Sequence, residues 1–221
     1  MSSSVIQLLV LAGIAVFLIL KLRNVLGTRE GFENPPAPQS GVDERRRSRP
    51  DFEVIEGGPD RDITDHVEDG SDPAKALAAM KLVDPSFHVG DFLQGARSAY
   101  EMILMAFENG DLDEVRAFLA PDVFDTFVDV IGAREDQGLT VDANFVGVRE
   151  LSLQDAVFER DTNQAELTIR FVGELTSVVK DAAGEVVEGN ANEIKRQRDV
   201  WTFARDMGSD NPNWQLTATG E

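Results

Sequence analysis

The stretch Ala165-Glu166-Leu167-Thr168-Ile169-Arg170-Phe171 alternates apolar and polar side chains without a break, and Glu174 and Leu175 continue the pattern. A period of two puts one set on each face of an extended chain, which predicts a strand with one buried and one wet face. Outward from it, Asp161-Thr162-Asn163 predicts a hairpin turn. On its far side, Phe145, Val146, Val148, Leu151 and Leu153 predict a strand that resumes after a bulge over Ala156 to Arg160. Downstream, the Asp181 to Gly184 turn leads into Glu185 to Val187. A long strand follows from Glu193 to Arg205, and a last one carries Trp214, Leu216 and Ala218.

Upstream of this meander the period changes. Phe92, Leu93, Ala96, Tyr100, Ile103, Leu104 and Phe107 recur at three- and four-residue steps, predicting a helix from Val89 to Asn109 that Asn109-Gly110 terminates. Asp111 is placed as the cap of a second helix through Leu119, burying Leu112, Val115, Phe118 and Leu119. Pro121 starts a third, with Val123, Phe124, Phe127, Val128 and Ile131 inward. Helices followed by a run of strands predict an α+β domain over residues 84–221, a curved antiparallel sheet wrapped by about three helices.

The chain before this domain has a different character. Val5 to Leu20 holds one polar residue, Gln7, and the uncharged run from the start is about 20 residues, enough at about 1.5 Å each to cross a bilayer core. Lys21, Arg23 and Arg29 follow the run, and Arg45, Arg46, Arg47 and Arg49 follow them. That asymmetry predicts a single-pass anchor over residues 1–26, amino terminus out and domain in the cytoplasm. From Gly27 onward Pro35, Pro36, Pro38 and many charges replace the apolar residues, which predicts a disordered linker over 27–83. Within it, Asp72-Pro73 is expected to open a short helix over 74–83. The arginines at 45, 46, 47 and 49 are placed as contacts for anionic headgroups.

Net charge is -19, divided as +3 over residues 1–50, -6 over 51–83 and -16 over 84–221. An acidic body opposes nucleic-acid phosphates, so nucleic acid is not an expected partner. Cysteine is absent and there are two histidines, which excludes thiolate metal sites and thiol nucleophiles. Asp60, Asp62, Asp65, Glu68, Asp69 and Asp72 lack the central Gly and closing Glu of a calcium loop, and form by expectation a solvated acidic run. No cofactor is expected and no metal.

Two stretches carry a resemblance. Asp84-Pro-Ser-Phe87, with Phe92-Leu93, Gly95-Ala96, Tyr100, Ile103, Ala106-Phe107 and Gly110-Asp111, resembles the opening of the carboxyl-terminal domain of the mitochondrial inner-membrane import subunit of forty-four kilodaltons. Asp199, Trp201-Thr-Phe203, Arg205, Pro212, Trp214 and Leu216 resemble that domain's final strands. The resemblance implies a cone-shaped sheet akin to the nuclear-transport-factor-two fold, with an apolar pocket, acting at an inner membrane as an adaptor or tether. The anchor, the polar linker and the lack of an Arg/Ser-rich transit peptide point to the bacterial membrane-anchored form of this Tim forty-four-like family, at the bacterial inner membrane.

Three functions are weighed on this basis. The first is a non-enzymatic, membrane-tethered adaptor for protein translocation or membrane-protein assembly, with basic or amphipathic protein segments and membrane lipids as partners. The second is a lipid-binding or membrane-organising protein that uses the pocket for an acyl chain. The third is a pocket enzyme, for which the sequence offers no phosphate loop, nucleophile elbow or metal spacing. Tyr100, Phe171, Trp201, Phe203 and Trp214 are placed as residues lining a pocket or partner groove, and Arg205 is expected to pair a nearby carboxylate. His88 is placed as a polar surface residue.

Overall fold

The computed structural model describes residues 59–220. In chain order they form α1 (Arg61–Thr64), α2 (Asp72–Val83), α3 (Val89–Asn109), a 3-10 turn (Arg116–Phe118), α4 (Pro121–Asp136), β1 (Thr140–Glu159), β2 (Gln164–Lys180), β3 (Val186–Gly189), β4 (Lys195–Asp206) and β5 (Gln215–Gly220). The expected anchor over 1–26, the first part of the expected linker and the arginines at 45, 46, 47 and 49 lie outside the described residues. Among the described residues no helix is long and apolar enough to cross a membrane.

The fold is α+β. One sheet runs β1-β2-β4-β5, with β3 pairing β2 off that path, and all of these pairings are antiparallel. The bulge expected in the first strand before Ala156 is present, the last of three. β1 pairs β2 along its whole length, with register shifts between Phe145 and Gly147, Val148 and Glu150, and Leu153 and Asp155. Each bulge bends and twists the strand, which is how a strand of 20 residues curves over its helices rather than standing off as a flat edge. Ala165, Leu167, Ile169 and Phe171 are fully buried on one face of β2, and Asn163, at φ 57, makes the hairpin turn.

The long helix is α3, with the bounds its periodicity gives. Gly110 ends it at φ 76, and the N–H groups of Gly110 and Asp111 close onto the Phe107 and Ala106 carbonyls at 3.3 and 3.0 Å. The expected second helix, from Asp111 to Leu119, is only the short 3-10 turn. The Asp111 side chain accepts from Asp113 N–H at 3.1 Å and holds a turn, while the Ala120 N–H bonds the Leu216 carbonyl of β5 at 2.9 Å, drawing Leu119 and Ala120 into an extended course. In α4 Val123 and Ile131 are buried and Phe124 and Phe127 half-buried. Val128, expected to face inward, is 45% exposed, because α4 turns only a narrow stripe to the core.

The packed body starts before Asp84. α2 is capped by Ser71, whose Oγ accepts from Ala74 N–H at 3.2 Å, one residue ahead of the expected Asp72. It buries Leu77 and Met80 completely in the same core as α3 and the inner face of the sheet. α1 adds Ile63. The expected linker over 27–83 is therefore corrected over its described part from Arg61: helices with core side chains occupy residues composition alone assigns to a tether.

Part of the acidic run also has a structural task rather than a solvated one. Asp62 accepts from the N–H groups of Val89 and Gly90 at 2.8 and 3.0 Å, capping α3 in place of His88, which makes no side-chain cap. Lys81 of α2 ties the same carboxylate, at 2.8 Å, to Asp60, at 2.6 Å. The exposed His88 places its Nδ1 3.7 Å from Asp62.

Candidate functional site: an aromatic row ending in a cleft

On β4, Asp199, Trp201 and Phe203 share the inner face, and registry sets Asp199 opposite Phe171 and Trp201 opposite Ile169 of β2. Above them lies α3, which delivers Tyr100 and Phe92 two helical turns apart. Tyr100 stacks on Phe171 with centroids 4.4 Å apart and an interplanar angle of 10°, and approaches Trp201 at 4.7 Å. Trp201 leads to Phe203 at 6.2 Å, Phe203 to Phe92 at 6.0 Å, and Phe92 to Trp214 at 4.7 Å. The five aromatic residues singled out in the sequence thus stand in one row, which Phe92 completes.

The row has a closed end and an open end. Tyr100 and Phe171 are fully buried and Trp201 is 4% exposed, so these three pack the core and do not reach the cleft. At the open end Phe203 and the half-buried Trp214 join Phe87, Phe92 and Phe118 around a cleft of about 320 Å³. Phe87 and Phe92 were legible as residues of one helix and its lead-in, but nothing local in the sequence says that β5 brings Trp214 against both.

Arg205 forms one wall of the cleft. Its Nη2 donates to Asp84 Oδ2 at 2.8 Å, and the two side chains are 11% and 12% exposed. This is the carboxylate pairing expected for Arg205. Asp84 Oδ1 accepts from Ser86 Oγ and N–H at 2.5 and 3.0 Å; these bonds, with the guanidinium, hold the Asp84 carboxyl below its usual range. Arg205 Nε is buried without a hydrogen-bond partner among the described residues, a donor that stands to gain from an acceptor.

At the closed end the polar chemistry is sealed. Tyr100 Oη donates to Asp199 Oδ2 at 2.5 Å, and Gln197 Nε2 donates to Asp199 Oδ1 at 3.0 Å. Burial first, and the neighbouring Asp199 second, push the phenol well above its ordinary value, so it stays a neutral donor. Sequence reasoning missed this pair, and the one signal was Asp199 itself, a carboxylate at an inward position of a β-strand pattern. Chemically the open cleft offers ring faces and edges together with a guanidinium, a surface for apolar groups.

Comparison with known proteins follows the same span. The model of the Tim44-like domain family matches residues 73–221, taking in α2 as the packing does. The chain is similar to the mitochondrial import inner membrane translocase subunit TIM44 of Homo sapiens, 26% identical over 166 residues that cover 71% of this chain and 36% of that protein. It is similar also to the rat subunit, at 25% over 166 residues, and to TIM44-1 of Arabidopsis thaliana, at 21% over 162 residues, which cover 34% of the plant protein. The chain thus spans about a third of the length of these curated relatives. Among solved structures, the intermembrane space region of the chloroplast protein ARC6 is similar at a TM-score of 0.40 and 16% identity, over 58% of this chain and 94% of that one. With the family pattern matched from residue 73 to residue 221, the chain belongs to the Tim44-like domain family.

Proposed function

We propose that this protein is a non-enzymatic adaptor, tethered to a bacterial inner membrane by residues 1–26 with its domain in the cytoplasm, that binds client or partner segments during protein translocation or membrane-protein assembly. The observation that carries the proposal is a cleft of about 320 Å³ walled by Phe87, Phe92, Phe203 and Trp214, on a domain whose relatives are named import translocase subunits. Aromatic walls take apolar side chains, and a body of net charge -16 over residues 84–221 favours segments that are basic as well. Attachment through residues 1–26 would raise the effective concentration of the domain for partners at the same membrane.

The test is binding without turnover. Labelled amphipathic peptides of equal hydrophobicity, with charge from positive to negative, are titrated onto the full chain in uncharged nanodiscs at low and high salt. The adaptor reading expects the basic members to bind most tightly, with affinity that falls as salt screens the field but does not vanish. No binding across the panel would sink it. A second reading, an acyl chain in the same cleft with its acidic head at Arg205, is favoured by the unpaired Arg205 Nε. Mass spectrometry of the native protein from membranes separates the two, because a bound acyl chain that blocks every peptide would replace the adaptor reading.

A further inference from the structure

The outward side of α3 carries a second feature, away from the aromatic row. Ser98, Glu101, Met102, Met105 and Asn109 follow at three- and four-residue steps on the side of the helix opposite Ala96, Tyr100, Ile103 and Leu104. Together with Asp111, Glu114 and Val115 of the next turn they line a groove of about 440 Å³. Its floor is apolar, from Met102, Met105, Ala106 and Val115. Its rim is acidic, with Glu101, Asp111 and Glu114 and no lysine or arginine among the lining residues.

The rim carboxylates are not neutralised from within. None of the three is in an ion pair among the described residues, and Asp111 accepts only the local Asp113 N–H. Of the two arginines nearest in sequence, Arg97 turns away to the Val148 carbonyl at 2.8 Å and Arg116 lies over the Phe124 ring, 4.2 Å from its centroid. Met102 is 37% exposed, and unbranched thioethers repack around differing side chains, which suits a surface that must accept more than one sequence. An apolar floor with a one-sign rim matches an amphipathic helix whose flanks carry the opposite sign, and the carboxylates disfavour nucleic acid and anionic headgroups.

We propose that this groove is a docking site for a basic, amphipathic α-helical segment of a client protein. The apolar side chains of the segment lie on Met102, Met105 and Val115, and its lysines or arginines face Glu101, Asp111 and Glu114. The inference rests on the adaptor reading and assigns the basic part of recognition to the groove rather than to the aromatic cleft.

The probe is a fluorescent 16-residue amphipathic helix of Leu, Ala and Arg, titrated onto the full chain in phosphatidylcholine nanodiscs; a Leu, Ala and Glu peptide is the control. Glu101→Lys/Glu114→Lys should weaken the Arg peptide by about tenfold at low salt and flatten its salt dependence, since exposed pairs contribute a few-fold each. The uncharged double variant Glu101→Gln/Glu114→Gln should give an intermediate loss, and Met102→Asp a loss that persists at high salt. The distant control Glu185→Lys/Glu188→Lys, at β3, changes the net charge by the same amount and should leave the Arg peptide within about twofold. All five positions are exposed, and thermal melts check that each variant folds. Unchanged binding in both groove double variants, or an equal loss in the β3 control, would overturn the groove while leaving an adaptor that uses the cleft. Failure of the unaltered chain to bind either peptide would overturn both proposals.

Discussion

Gly173 of β2 is what allows Tyr100 to lie flat on the sheet. A Cβ at position 173 would stand 2.6 Å from Tyr100 Oη and 2.9 Å from its Cε1. The phenol is also held by Asp199, at 2.5 Å, and its ring is stacked on Phe171, two contacts that any shift away from a Cβ would disturb. Gly173→Ala should therefore destabilise the fold by about 1–3 kcal/mol through overpacking. Combining it with Tyr100→Leu should cost less than the sum of the two single changes, because the shorter side chain vacates the contested space. Denaturant unfolding of the four members of the cycle measures this, and simple additivity would show that the clash is absorbed elsewhere.

Trp201 sits at the middle of the row, in contact with Tyr100, Phe171 and Phe203, and is 4% exposed. Truncating it removes a large ring from a site walled by three other rings, which cannot all collapse into the space. Trp201→Ala should cost about 3–5 kcal/mol. A loss below about 1 kcal/mol in equilibrium unfolding would contradict the core role and return Trp201 to a recognition surface.

The sheet and α3 were legible because their periods are long and clean: β2 alternates from Ala165 to Phe171, and α3 repeats its apolar stripe across 21 residues up to a glycine cap. Local rules failed where distant backbone or side chains decide. Leu119 looks helical until β5 bridges it at Leu216, and Asp60 and Asp62 look solvated until Lys81 and the amino end of α3 arrive. The candidate site divides in the same way. Trp201 and Phe203 announce an inward face, but the cleft depends on Trp214 meeting Phe87 and Phe92 across more than a hundred residues of chain.

Packing also fixes where an independent domain must begin. A fragment from Pro59 to Glu221 keeps α1 and α2, whereas one from Asp84 discards Leu77 and Met80, both fully buried, and the Asp62 cap of α3. The longer fragment should unfold cooperatively. The shorter should lose several kcal/mol, since each large aliphatic side chain removed from a core costs about 2–5 kcal/mol. Urea titration of the two fragments decides the point, and equal midpoints would mean that α1 and α2 are only appended to the domain.

Acid should loosen that same junction. Burial alone would raise the Asp62 carboxyl, but the hydrogen bonds from Lys81, Gly90 and Val89 outweigh it and bring the group down to about 2 from an ordinary 3.8. The folded value lies below the unfolded one, so the unfolded chain takes up the proton first as pH falls. The stabilisation is then complete above about pH 4 and is lost on descending towards pH 2. Because the carboxylate is a quarter exposed, its share is about 1–2 kcal/mol once solvent screening is allowed for. Asp62→Asn should lower the melting temperature at pH 6, and its deficit relative to the unaltered protein should shrink steadily between pH 4 and pH 2. Lys81→Met should reduce the same pH dependence, because it removes the cation that holds the carboxylate ionised. Melting curves at half-unit intervals of pH test both, and a deficit for Asp62→Asn that stayed constant down to pH 2 would mean that the carboxylate contributes shape, not charge, at the start of α3.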